Sequence, residues 1–142
     1  MSTPEAPAVD YFEHDADIGI IGRGASPEEA FERAAEAMFA VMLTLDAIAP
    51  ERSVDVAFEE DDLELALVQW LNALLAAART EELALARFRL QREGSAWTGQ
   101  AGGEPLRPEI ERGTEVKGAT LTALRVEQTD GGGWEARCVV DV

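Results

Sequence analysis

Ser26-Pro27-Glu28-Glu29-Ala30-Phe31 is the stretch on which the fold turns. A serine, a proline at the first helical position and a glutamate three residues after the serine form a helix start. The Ser26 hydroxyl can accept from the Glu29 amide, and Glu29 can close a capping box back onto the Ser26 amide. Ala30, Phe31, Ala34, Met38, Val41 and Met42 then recur at helical spacing to about Leu43. Upstream, residues 10–24 read as extended, with Tyr11, Phe12, Ile18, Ile20 and Ile21 supplying β-favouring bulk. Downstream, residues 46–50 make a break. Arg52–Glu59 alternates Val54, Val56 and Phe58 against Ser53, Asp55 and Ala57, as a half-buried strand does. Asp61-Asp62 opens a second helix to about Arg79, with Leu63, Leu67, Trp70, Leu71, Leu74 and Leu75 on one stripe. The two strand–helix pairs hint at a repeat, but no residue-level similarity supports one.

After Thr80 the character becomes β. Residues 83–91 pair across Arg92-Glu93-Gly94-Ser95 with 96–101, residues 102–112 read as a loop, and 114–129 pair with 134–142 across Asp130-Gly131-Gly132-Gly133. Helices come early and hairpins late, which makes the class α+β with two helices on a mostly antiparallel or mixed sheet. Residues 1–9 form a proline-spaced tail, and residues 10–142 form one domain.

The 142 residues carry 28 Asp and Glu against 12 Lys and Arg, a formal net charge of −16. With 46 % hydrophobic residues the chain can nevertheless bury a core. Direct binding of DNA or RNA is not expected, because phosphate recognition needs a basic footprint. Adsorption to anionic lipid is disfavoured for the same reason. A salt-rich habitat or solubility accounts for most of the acids better than function does. The single cysteine, Cys138, excludes a disulfide framework and paired-cysteine zinc sites, and its apolar neighbours mark it as a buried small hydrophobe. The N-terminal residues lack the basic and apolar regions of a signal peptide, and every apolar run is interrupted well short of about 20 residues, so a soluble cytoplasmic protein is expected.

Four short segments carry candidate chemistry. Gly22-Arg23-Gly24 lies between a strand and a helix, as a phosphate loop does. It lacks a third glycine, and Glu28, Glu29 and Glu32 would repel an anion at the helix start, which leaves turn glycines as the better reading. In Glu13-His14-Asp15-Ala16-Asp17, an extended chain puts Glu13, Asp15 and Asp17 on one face and His14 on the other. Three hard oxygen donors suit calcium, magnesium or manganese rather than zinc, although a chain this acidic also makes such clusters by chance. Val139-Val140-Asp141-Val142 sets a carboxylate at the end of an apolar strand, with Asp141 on the Glu135 and Arg137 side. Its carboxylate and the neighbouring main-chain oxygens form either a compact oxygen cluster or merely a frayed end. Gly113-Thr114-Glu115-Val116-Lys117-Gly118 holds the only lysine, among eleven arginines. Either it survives by chance, or the position needs a compact point charge where a planar guanidinium will not serve.

The order of these segments resembles the archease family. The resemblance runs from His14-Asp15-Ala16-Asp17-Ile18-Gly19-Ile20 through Gly24-Ala25-Ser26-Pro27-Glu28-Glu29-Ala30-Phe31 and Asp62-Leu63 to Trp70-Leu71-Asn72. It continues through Gly113-Thr114-Glu115-Val116-Lys117 to Val140-Asp141-Val142, and so covers residues 10–142. It implies a small α+β protein that is not itself a catalyst but activates a GTP-dependent RNA ligase of the RtcB type in tRNA splicing and RNA repair, promoting guanylylation and multiple turnover. It further implies a divalent metal, with calcium ahead of magnesium or manganese, held by Asp17, Asp141 and the Val142 carbonyl. Lys117 matches the lysine of the same functional tip, to which His14 and Glu115 also belong. The family usually has threonine where this chain has Asp15, so Asp15 ranks below Asp17 as a ligand.

A different class of function, an acidic protein–protein adaptor of related fold, predicts no metal site and no loss on replacing Asp17 or Asp141. A free-standing metal hydrolase needs a general base beside an open metal position, which the single His14 on the opposite face supplies poorly.

Overall fold

A computed structural model describes residues 6–142. Of the expected tail, residues 1–5 lie outside the described residues, and 6–8 lead without regular structure into the first strand. The described chain runs β1 (Val9–His14), β2 (Asp17–Gly24), α1 (Pro27–Met42), β3 (Arg52–Glu59), α2 (Leu63–Thr80), β4 (Leu83–Glu93), β5 (Ala96–Pro105), β6 (Gly118–Ala119), β7 (Arg125–Gln128) and β8 (Trp134–Asp141). A single 3-10 turn at Leu45–Ala47 falls at the break after α1. The α+β class is as expected, but the strands form two antiparallel sheets rather than one. β1, β2 and β8 pair in that order, with β6 and β7 on the far edge of β8, while β3, β5 and β4 make the second sheet.

Both helix starts follow the sequence. The Ser26 hydroxyl accepts from the Glu29 amide at 3.1 Å, and the Asp62 carboxylate accepts from the Leu65 amide at 3.0 Å. One detail differs. Glu29 accepts from the Ala25 amide at 3.2 Å, one residue before the expected Ser26 amide. Its side chain reaches there by lying across Gly24, where a Cβ would come within 2.7 Å of it.

α1 packs against both sheets. Ala30 and Ala34 sit on β2, where a Cβ on Gly22 would stand 2.2 Å from the Ala30 carbonyl and the Ala34 amide nitrogen. Gly22 and Gly24 are therefore neither a phosphate loop nor turn residues. They lie within β2 and let the helix approach the sheet backbone. On the neighbouring face of α1, the Phe31 ring stacks on Trp97 at 5.2 Å and Phe39 meets Phe88 at 5.1 Å.

The long second hairpin also differs from expectation. β4 and β5 run further than the sequence suggested and turn tightly at Gly94-Ser95, with Gly94 at φ 62°. A bulge between Leu85 and Arg87 re-phases β4. Leu83 and Leu85 face the main core before it, and Phe88 and Leu90 face that core after it. A simple alternation cannot show such a change of phase. Residues 102–105, read as loop, instead continue β5. The closing hairpin is shorter than expected, because only β6 and β7 are strands within 114–129.

Beneath the second sheet, Glu104 is fully buried. Its carboxylate accepts from the Ala49 amide and pairs with Arg107, which ties the segment after α1 to the end of β5. The Ala49 amide, then the Arg107 guanidinium, holds the Glu104 carboxyl below its ordinary value, against the opposing effect of burial. A depressed folded-state pKa contributes stability that is complete above the unfolded value and lost as pH falls through the folded one. The melting temperature should therefore fall below about pH 4.3, the ordinary glutamate value. Glu104→Gln should melt lower than the parent at pH 7 and converge on it in acid. Parallel melting curves for the two proteins across that range would contradict this assignment.

Candidate functional site

β1 and β2 are joined by the two-residue turn Asp15-Ala16, so residues 10–24 are a hairpin and not one extended run. Asp15 takes φ 52°, a left-handed conformation that aspartate tolerates better than a β-branched residue such as threonine. The turn breaks the expected face of Glu13, Asp15 and Asp17. His14 lies directly opposite Asp17, and Glu13 opposite Ile18, so His14 shares the Asp17 face instead of the other one. The Asp15 side chain is 93 % exposed and points its carboxylate toward His14 Nδ1, 3.8 Å away. Asp15 thus serves the turn.

The same β2 strand pairs with β8 in the register Ile18–Val140, Gly19–Val139 and Ile20–Cys138. Extending that register by one residue sets Asp17 opposite Asp141. The Val142 amide donates to Asp17 Oδ1 at 3.2 Å, which fixes the half-buried Asp17 carboxylate against the end of β8. Asp141 is exposed and, by alternation along β8, lies on the Glu135 and Arg137 face, as expected. Two residues 124 positions apart are therefore neighbours at one sheet edge.

β6 completes the edge from the other side of β8. Gly118 pairs with Asp141, and the Lys117 amide donates to the Asp141 carbonyl at 2.7 Å. The Lys117 side chain is exposed and forms no salt bridge among the described residues. Buried Val116 anchors the segment, whereas Glu115 faces outward at the mouth of an apolar cavity of about 370 Å³ between the ends of α1 and α2. Asp17, Asp141, Val142 and Lys117 are thus linked at one end of the first sheet, with His14 opposite Asp17 in the register and Asp15 and Glu115 flanking them.

The chemistry of that edge is hard-oxygen chemistry. Asp17 keeps one carboxylate oxygen outside its contact with Val142, and Asp141 adds a second carboxylate beside it. Such donors fit calcium, magnesium or manganese better than a thiophilic metal. Among the described residues no three His, Cys, Asp or Glu side chains gather into a metal-holding group, so Asp15 does not complete a carboxylate trio with Asp17 and Asp141. The one thiol is no alternative. Cys138 is buried in β8, and burial pushes its pKa up to about 12.

Elsewhere on the outer face of this sheet the charges are paired. Arg23 bonds Glu135 at 2.9 Å and Asp10 at 3.1 Å, and Arg137 lies 3.5 Å from Glu135. The Tyr11 amide, then Arg23, lowers the Asp10 pKa. Among the described residues neither Asp17 nor Asp141 forms an ion pair, which separates their edge from the rest of the face.

Sequence and structure comparisons bear on the whole domain. The family model for the archease protein family matches residues 10–142. The chain is similar to "Protein archease" of Sulfolobus acidocaldarius, with 41 % identity over 138 residues that cover 94 % of this chain and 97 % of that one. It is similar to "Protein archease" of Methanosarcina mazei at 37 % identity, covering 94 % of each chain. Its fold matches the solution structure of Methanobacterium thermoautotrophicum protein 1598 with a TM-score of 0.82 and 29 % identity, over 95 % of this chain and 99 % of that one. No helix among the described residues is long and apolar enough to cross a membrane.

Proposed function

Because the chain belongs to the archease family, we propose that it is an accessory activator of a GTP-dependent RNA ligase of the RtcB type, acting through the Asp17–Asp141–Lys117 edge in tRNA splicing and RNA repair. The observation that carries this reading is the Val142–Asp17 hydrogen bond, which ties the Asp17 carboxylate to the end of β8 beside Asp141, while Lys117 is held on the other side of the same strand.

In this reading Asp17, Asp141 and the Val142 carbonyl would hold a divalent metal, calcium ahead of magnesium or manganese. The bound cation would supply positive charge and a Lewis-acidic contact for phosphate oxygens. The protein's own groups do the rest. Asp17 is oriented by the Val142 amide, so its charge is presented in one direction rather than averaged over rotamers. Lys117, with no carboxylate partner among the described residues, offers its ammonium to a phosphate oxygen in the partner's nucleotide pocket. The net charge of −16 steers the protein toward a basic RNA-handling enzyme and keeps it from competing for the RNA, so partner contact replaces direct nucleic-acid binding. Its place of action is the cytoplasm.

The adaptor reading is favoured by one observation, the lack of a three-side-chain metal group among the described residues. Reconstitution separates them. A purified RtcB-type ligase given GTP and its metal should acquire covalently bound guanylate faster when this chain is added, and should join more RNA ends than there are ligase molecules. An unchanged rate, with the two proteins still co-eluting, would favour the adaptor.

A further inference from the structure

Lys117 sits on a segment with little regular structure of its own, since β6 is only two residues long. The segment is nevertheless held from two sides, by β8 and by α2. β8 takes the Lys117 amide through the Asp141 carbonyl at 2.7 Å. Asn72, midway along α2, uses both ends of its amide on one residue: Oδ1 accepts from the Ala119 N–H at 2.9 Å, and Nδ2 donates to the Ala119 carbonyl at 3.3 Å. Arg79, in the last turn of α2, donates from one guanidinium nitrogen to the carbonyls of Val116 at 2.7 Å and Lys117 at 3.0 Å. Both main-chain groups of Lys117 are therefore bound, and its side chain has no partner among the described residues.

The spacing accounts for the pair. Asn72 and Arg79 are seven residues apart, so they project from one face of the helix and are separated by about 10.5 Å along its axis. An extended segment from Val116 to Ala119 covers about 10 Å. Two side chains two turns apart thus reach the two ends of the segment that carries the lysine. The residue types are equally specific. An amide both donates and accepts and can mimic a neighbouring strand, which a carboxylate cannot do toward a carbonyl. A guanidinium can serve two carbonyls at once.

We infer that Asn72 and Arg79 are positioning residues, which dock the 116–119 segment on α2 and so set where the Lys117 ammonium stands relative to Asp17 and Asp141. The functional consequence rests on the activator reading above, whereas the docking itself does not.

Two readouts on one set of variants test both parts. Amide hydrogen exchange should show the Ala119 amide losing protection about five- to tenfold in Asn72→Ala, and the Lys117 amide doing so in Arg79→Ala, with the β2–β8 amides unchanged. Asn72→Asp, which keeps the acceptor and loses the donor, and Arg79→Lys, which keeps the charge and loses the planar guanidinium, should fall between. In the guanylylation assay with an RtcB-type ligase, the Ala variants should lower the maximal stimulation without raising the concentration that gives half of it. That pattern marks misplacement of an acting group rather than loss of folded protein or of docking. Unchanged exchange in both Ala variants would overturn the inference whatever the ligase does. Lost protection with full stimulation, while Lys117→Ala loses it, would overturn the positioning role. If Lys117→Ala itself stimulates fully, the activator reading of the lysine fails, and the exchange data alone decide whether α2 docks the segment.

Discussion

Asp17→Ala is expected to weaken divalent-cation binding by on the order of a hundredfold or more, since it removes one of two carboxylates from the proposed metal site, which has few other protein donors. A calorimetric calcium titration reads this directly. The parent should give a saturable heat, and Asp17→Ala should give none over the same range. Two further variants divide the effect. Asp17→Asn keeps an oxygen for the Val142 amide and loses only the charge, so it should fail to bind cation while the end of β8 stays in place. Asp15→Ala should titrate like the parent, because that side chain is 93 % exposed and serves the turn. Equal titrations for Asp17→Ala and the parent would remove the metal from the account and leave the adaptor reading in its place.

The largest loss of stability is expected at Trp70, in the core between the two helices and the second sheet. Trp70 is completely buried, and its indole N–H donates to the Phe31 carbonyl at 3.0 Å, which links α2 to α1. Its ring fills the space over Gly99 of β5, where a Cβ would stand only 2.3 Å from it. Trp70→Ala removes this packing and leaves a cavity that the two helices and the second sheet cannot all close, at a cost of about 3–5 kcal/mol. For a domain of this size that is a fall in melting temperature on the order of 10 °C. Leu121, 65 % exposed, provides the contrast, with Leu121→Ala expected to stay within about 0.5 kcal/mol of the parent. Thermal melts of the two variants side by side measure both, and a Trp70→Ala protein that melts with the parent would show that this contact between the helices is dispensable.

Features with a local cause are legible in the sequence, and features set by distant partners are not. Ser26 and Asp62 cap their helices through contacts three residues long, so both helices and the strand Arg52–Glu59 were legible in sequence. The turn at Asp15-Ala16 was not, because Asp-Ala carries neither glycine nor proline and both flanks are rich in β-favouring residues. Missing it reversed the face assigned to His14. The bulge in β4 and the merging of residues 102–105 into β5 are consequences of pairing with a partner strand, which no single-strand pattern encodes.

The site divides the same way. Asp17 and Asp141 came together only through the resemblance to a family, since their contact depends on the register of two strands from opposite ends of the chain. Lys117 was visible as the one lysine among eleven arginines. Asn72 was visible only in the Trp70-Leu71-Asn72 segment of the family resemblance, and Arg79 only as a helix end, because its partners are backbone carbonyls 37 and 38 residues away.

In the proposed function, one sheet edge carrying Asp17, Asp141 and Lys117 makes this protein an activator. The most direct test is the single-turnover rate of guanylate attachment to an RtcB-type ligase with saturating parent, Asp17→Ala, Asp141→Ala or Lys117→Ala protein, each matched to the parent in melting temperature. The account predicts strong acceleration by the parent and a rate near that of the ligase alone for all three variants. Acceleration equal to the parent's by all three variants would contradict it.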